Sequence, residues 1–99
     1  MKPSDRLHDL ADLYLERNKS YGNNYKRHGS IMLALFKGGI PPQENICDIN
    51  RFGVLTMIVS KLTRYVEHWD QGGHKDSLDD LSVYAQMLAE LDGEADYDE

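Results

Sequence analysis

Apolar residues recur along this chain with the three-and-four spacing of helices, and four such stretches are separated by glycine- and proline-marked breaks. The first is predicted from Ser4, a good N-cap, to about Asn18, with Leu7, Leu10, Ala11, Tyr14 and Leu15 on one face. Asp5, Asp9, Asp12 and Glu16 fall almost opposite and read as a solvated face. A short second helix is expected from about Ser30 to Lys37, stopped by Gly38-Gly39 and followed by an extended Ile40-Pro41-Pro42. The third and longest, from about Asp48 to Asp70, carries Phe52, Leu55, Ile58, Val59, Leu62, Val66 and Trp69 as its stripe and ends at Gly72-Gly73. The fourth begins near Asp76 or Ser77 and stops before Gly93, with Leu78, Leu81, Tyr84, Ala85, Leu88 and Leu91 facing inward. No stretch alternates with period two between turn signals, so no strand is expected. The pattern predicts an all-α fold, a small four-helix bundle over residues 1–93, followed by an acidic disordered tail over 94–99.

Ninety-nine residues suffice for one domain. Four short helices leave a thin core, and Met32, Leu33, Leu35, Phe36 and Met57 exceed what it needs, so a homo-oligomer is expected to complete the fold. Cys47 is the only cysteine, which excludes an intrachain disulfide. No apolar run approaches the ~20 residues of a membrane span, and Met1-Lys2-Pro3-Ser4-Asp5 lacks the apolar segment of a signal peptide. A cytoplasmic protein with no membrane partner is the expectation.

Charge is divided unevenly. Residues 76–99 hold nine acids and no Lys or Arg, whereas residues 1–75 hold all 11 basic residues against the remaining 8 of the 17 acids. The body is therefore +3 and the last helix with its tail −9, which sum to the net −6. That total argues against DNA or RNA polymers as partners and leaves room for a small phosphorylated ligand.

Three constellations could carry chemistry. Lys19-Ser20-Tyr21-Gly22-Asn23-Asn24-Tyr25-Lys26-Arg27-His28 reads as an unusually rich loop between the first two helices. Gly22 can take positive φ and let backbone N–H groups converge on an anion. Lys19, Lys26 and Arg27 supply charge for phosphate, and Tyr21 or Tyr25 a face for a base, with Asn24 and His28 beside them. The plainer reading is a solvated loop anchored by its tyrosines. On the third helix, Lys61, Arg64 and His68 form one strip flanking the apolar stripe, where they need an anion or carboxylates to offset their repulsion. On the fourth, Asp76, Asp80 and Tyr84 share one edge. Asp76 and Asp80 could hold Mg²⁺, or pair with Lys61 and Arg64, and Asp76 could be the N-cap. His8 and His74 read as surface residues, and no His/Cys spacing points to zinc.

Lys19-Ser20-Tyr21-Gly22, then Lys61-Leu62-Thr63-Arg64, then Asp76-x3-Asp80-x3-Tyr84-Ala85, resembles small all-α proteins around the MazG-like nucleotide pyrophosphohydrolases. The similarity is to their divergent, often phage-encoded relatives, the nucleotide-modification-associated domains, and covers about residues 14–90. It implies a helical bundle, often dimeric, that binds a nucleotide and sometimes hydrolyses it with Mg²⁺. The Lys-x-Tyr-Gly segment and the Lys61/Arg64 pair would then grip phosphates, and Asp76 and Asp80 would occupy the second acidic motif.

Two departures matter. The chain has no Glu-x-x-Glu, and Ser77 stands where a glutamate would precede Asp80 by three residues. Two-metal hydrolysis needs carboxylates from both sides to fix ions about 3.5–4 Å apart. With cations on one side, the expected function is nucleotide binding without hydrolysis and without a cofactor. In a phage setting this would sequester a cyclic or modified nucleotide defence signal in the host cytoplasm. The alternatives are a Mg²⁺-dependent nucleoside triphosphate pyrophosphohydrolase and a helical interaction module.

Overall fold

A computed structural model describes residues 1–21 and 24–94, with backbone alone for Ser20, Tyr21 and Asn24. The architecture is all-α, a small bundle of four helices: α1 (Pro3–Tyr21), α2 (Asn24–Leu35), α3 (Ile46–Glu67) and α4 (Lys75–Glu94). A single 3₁₀ turn, Trp69–Gln71, joins α3 to α4. Among the described residues there is no strand, and no helix is long and apolar enough to cross a membrane.

The α3–α4 hairpin is the frame. Asn45 caps α3 from extended backbone, its side-chain oxygen accepting from the Asp48 N–H at 2.9 Å, so the helix starts two residues before Asp48. It ends at Glu67 because the His68 N–H turns back to the Tyr65 carbonyl at 3.1 Å. Gly72 and Gly73, at φ 88° and 100°, then reverse the chain in a conformation that L side chains resist. A Cβ at Gly73 would also stand 2.9 Å from the Tyr65 ring. The helix expected to reach Asp70 therefore stops three residues short of it.

Helix α2 packs against α3 and stacks Phe36 on Phe52, ring centroids 6.2 Å apart. Met32 and Val59 are buried, together with the hydroxyl residues Thr63 and Ser77. Thr63 Oγ1 donates to the Ser60 carbonyl at 2.8 Å, satisfying its polar atom inside the helix. The rest of the predicted apolar stripes is only partly covered. Leu62, Val66, Trp69 and Leu78 remain exposed, as do Leu33, Leu35 and Met57.

Helix α1 differs from its neighbours. Packing runs between α3 and α4 and between α2 and α3, and α1 joins neither layer extensively. Its face of Leu7, Leu10, Tyr14 and Leu15 is exposed, Leu7 at 67%. The radius of gyration is 17.1 Å, against about 13 Å for a compact chain of this length.

The segment read as a ten-residue loop is mostly helical. Helix α1 continues through Lys19 to Tyr21, and α2 opens at Asn24, six residues before Ser30. Polarity at Tyr25-Lys26-Arg27-His28 marked a polar helix face, since none of the four breaks a helix. At the other end α4 runs through Gly93 to Glu94, and the remaining expected tail, 95–99, lies outside the described residues.

Candidate functional site

Two of the expected cations, Arg27 and Lys61, tie α3 to its neighbouring helices. Arg27 on α2 reaches across to α3, its Nη1 3.1 Å from Glu67 Oε1. Lys61 on α3 reaches α4, its Nζ 3.0 Å from Asp80 Oδ2. Both pairs are partly exposed, with the Lys61 side chain the best covered at 20%. Each contributes on the order of 1 kcal/mol or less to stability. Their larger effect is positional, holding α2 and α4 against the same stretch of α3.

Arg64 and His68 continue the Lys61 strip along α3, both partly buried. His68 Nδ1 stands 2.9 Å from the Arg64 carbonyl, an acceptor, so that nitrogen carries the proton. The His68 ring stacks on His74 with centroids 4.5 Å apart. His74 is wired the opposite way. Its Nδ1 accepts from the Ser77 N–H at 3.2 Å, with Ser77 Oγ 2.7 Å away. His74 thus fills the role of N-cap for α4, which corrects both its reading as a surface residue and the reading of Asp76 as the cap. Asp76 sits exposed in the first turn, where a carboxylate suits the helix dipole.

An aromatic pair borders the cations. The Tyr14 and Tyr25 hydroxyls are 3.2 Å apart, linking α1 to α2. The Tyr14 hydroxyl is held above its usual pKa, first by that hydrogen bond and then by repulsion from a Tyr25 phenolate. Lys26 Nζ lies 5.8 Å from the centre of the exposed Tyr25 ring, a cation–π contact. Tyr14 was placed only in the apolar stripe. Its hydroxyl, the one polar tip in that stripe, was the available signal.

Of the residues expected to bind a ligand, Tyr25, Lys26, Arg27 and the partly buried His28 lie on α2, Lys61, Arg64 and His68 on α3, and the partly buried Tyr84 on α4. Lys19 is exposed near the end of α1. Gly22 and the side chains of Tyr21 and Asn24 lie outside the described residues. Glu67 is the partner of Arg27. Of the two acids proposed for a metal, Asp80 engages Lys61 and Asp76 faces outward, and no group of three or more His, Cys, Asp or Glu converges among the described residues.

A separate cavity of about 400 Å³ opens towards the other end of the hairpin, between Pro41-Pro42 and the Phe36, Phe52 and Leu88 side chains. Arg51 spans its edge, with Nε 2.7 Å from Asp92 Oδ1 and Nη1 3.5 Å from Asp48 Oδ1. The sequence pattern gave no sign of it, because its walls come from three separate elements.

No family model, no curated protein and no solved structure matches this chain.

Proposed function

We propose that the protein binds a small nucleotide through the Lys26, Arg27, Lys61 and Arg64 cations and does not hydrolyse it. The observation that supports this reading is the Lys61–Asp80 ion pair. It turns the acidic edge of α4 into a counterweight for a cation instead of one wall of a carboxylate cage. Arg27 and Lys61 are held in partly exposed ion pairs with Glu67 and Asp80. A phosphate entering there exchanges weak, partly exposed ion pairs for stronger charge-assisted hydrogen bonds. The exposed Tyr25 ring beside Lys26 offers a surface on which a base can stack.

Hydrolysis asks more of the site. A metal-activated water needs carboxylates converging from two sides. Helix α3 instead presents Lys61 to Asp80, and its Glu67 is engaged by Arg27. The resemblance to the MazG-like proteins and their nucleotide-modification-associated relatives supports the ligand class. Within that class, a protein that holds without cleaving acts by sequestration, and a phage-encoded one would remove a cyclic or modified nucleotide signal of host defence. The ligand is small, because the net charge of −6 repels long polyanions.

The test is to purify the protein natively, denature it, and identify what is released by mass spectrometry. An intact nucleotide in near-stoichiometric amount supports the reading. Release of pyrophosphate from added triphosphates with Mg²⁺, abolished by Asp80→Ala, would replace it with the hydrolase alternative.

A further inference from the structure

We propose that helix α1 of a second copy of this chain docks in the apolar half of the α3–α4 seam. That seam has two halves. At 100° per residue, Ile46, Ile49, Gly53 and Met57 share the strip of α3 that Arg64 and His68 continue. On α4, Met87 and Leu91 share the strip that begins with Asp76 and Asp80. The two helices run antiparallel, with the Cys47 thiol against the Leu91 carbonyl at one end and Lys61 against Asp80 at the other. One face is therefore ionic towards the start of α4 and apolar towards its end. The apolar half forms an open groove of about 560 Å³ lined by Ile49, Val54, Met57, Met87 and Leu91. At its centre Gly53 has open space where a Cβ would stand, so a helix can approach closely.

Three features identify the occupant as α1 of another copy. The first is surface area. The chain exposes 7761 Å², whereas a monomer of 11.3 kDa exposes about 5,700 Å². The excess, about 2,000 Å², has the size of an obligate interface and not of a passing contact. The second is that the chain carries two unpartnered apolar surfaces, this groove and the Leu7–Leu10–Leu15 face of α1. Helix α1 does not pack extensively on α3 or α4 in one copy, so a second copy can supply the partner of each. The third is charge. The leucine face of α1 is flanked by Arg6 and Arg17, while Glu90 lines the groove and Glu94 follows it on a helix whose only base is Lys75. Docking sets these signs opposite each other and leaves Asp5, Asp9, Asp12 and Glu16 in water. The contact is independent of whether a nucleotide binds.

Light scattering coupled to gel filtration should give the unmodified protein a mass of two or more chains, and Leu7→Glu and Met57→Glu should each reduce it to 11.3 kDa. Both side chains are exposed within one copy, so neither change disturbs its own core. Cross-linking gives a second readout that leaves the interface intact. In a Cys47→Ser background, Leu7→Cys protein mixed with Met57→Cys protein should form a disulfide-linked heterodimer under mild oxidation. A monomer at micromolar concentration would overturn the proposal, as would assemblies unaffected by both glutamates. Cross-linking of the Leu7→Cys protein to itself in preference to the mixed pair would overturn it too.

Discussion

Lys61 and Asp80 join α3 to α4 through a 3.0 Å contact between Nζ and Oδ2, and the carboxylate most suited to metal binding thereby faces an ammonium group. The pair sets two variants against each other. Lys61→Met removes a phosphate-binding cation and should weaken nucleotide binding about tenfold or more, ~1.4 kcal/mol. Asp80→Asn removes the competing carboxylate and should leave binding unchanged or tighter. Equal losses from both substitutions would show that the acid contacts the ligand, through a metal or directly.

Gly73 and Gly72 provide a paired stability test. Both have positive φ, but only at Gly73 would a new Cβ meet the Tyr65 ring, at 2.9 Å. Alanine at Gly72 should cost about 1–2 kcal/mol from backbone strain. Alanine at Gly73 should cost more, and a Tyr65→Ala background should remove the difference. Urea unfolding at fixed protein concentration measures it.

Two helix caps can be compared by thermal unfolding. Asn45→Ala loses the side-chain acceptor for the Asp48 N–H, and His74→Ala loses the one for the Ser77 N–H. Each should cost about 1 kcal/mol, or roughly 4–8 °C for a domain of this size. His74→Asn should recover most of the loss, because asparagine caps well. If His74→Asn is as damaging as alanine, the imidazole acts through its stack on His68 and not as a cap.

The Tyr14–Tyr25 contact has an alkaline signature. The folded protein raises the Tyr14 pKa above its ordinary value near 10, chiefly through the hydrogen bond to Tyr25. A raised pKa means that folding favours the protonated phenol. This stabilisation is fully present below the unfolded pKa and is lost as pH rises through the folded one. Absorbance at the phenolate band should show a late-titrating component that disappears in Tyr14→Phe and moves to lower pH in Tyr25→Phe. An unchanged titration in Tyr25→Phe would mean that α1 and α2 do not meet through these hydroxyls.

The hairpin was legible because its signals are local. Phe52, Leu55 and Val59 repeat at helical spacing, and Gly72-Gly73 can only be a reversal. The strip of Lys61, Arg64 and His68 was legible for the same reason, since position on a helix fixes position on its face. Periodicity names a face and not what covers it, and so the exposure of Leu7, Leu10 and Leu15 could not be read. The Arg27–Glu67 and Tyr14–Tyr25 contacts depend on how separate helices are set, which no local pattern encodes. The stretch from Lys19 to His28 misled because its polar and aromatic residues resemble a loop. Its described residues, Lys19 to Tyr21 and Asn24 to His28, all keep helical backbone.

Nucleotide binding without turnover is the central claim, and isothermal titration calorimetry addresses it most directly. The purified protein would be titrated with a panel of linear mono- and dinucleotides and cyclic nucleotides, with and without Mg²⁺, alongside Lys61→Met. At least one member should bind well below millimolar without Mg²⁺, should be recovered intact afterwards, and should bind Lys61→Met at least tenfold more weakly. Absence of any binding tighter than millimolar across the panel, or recovery of the ligand as hydrolysed product, would contradict the account.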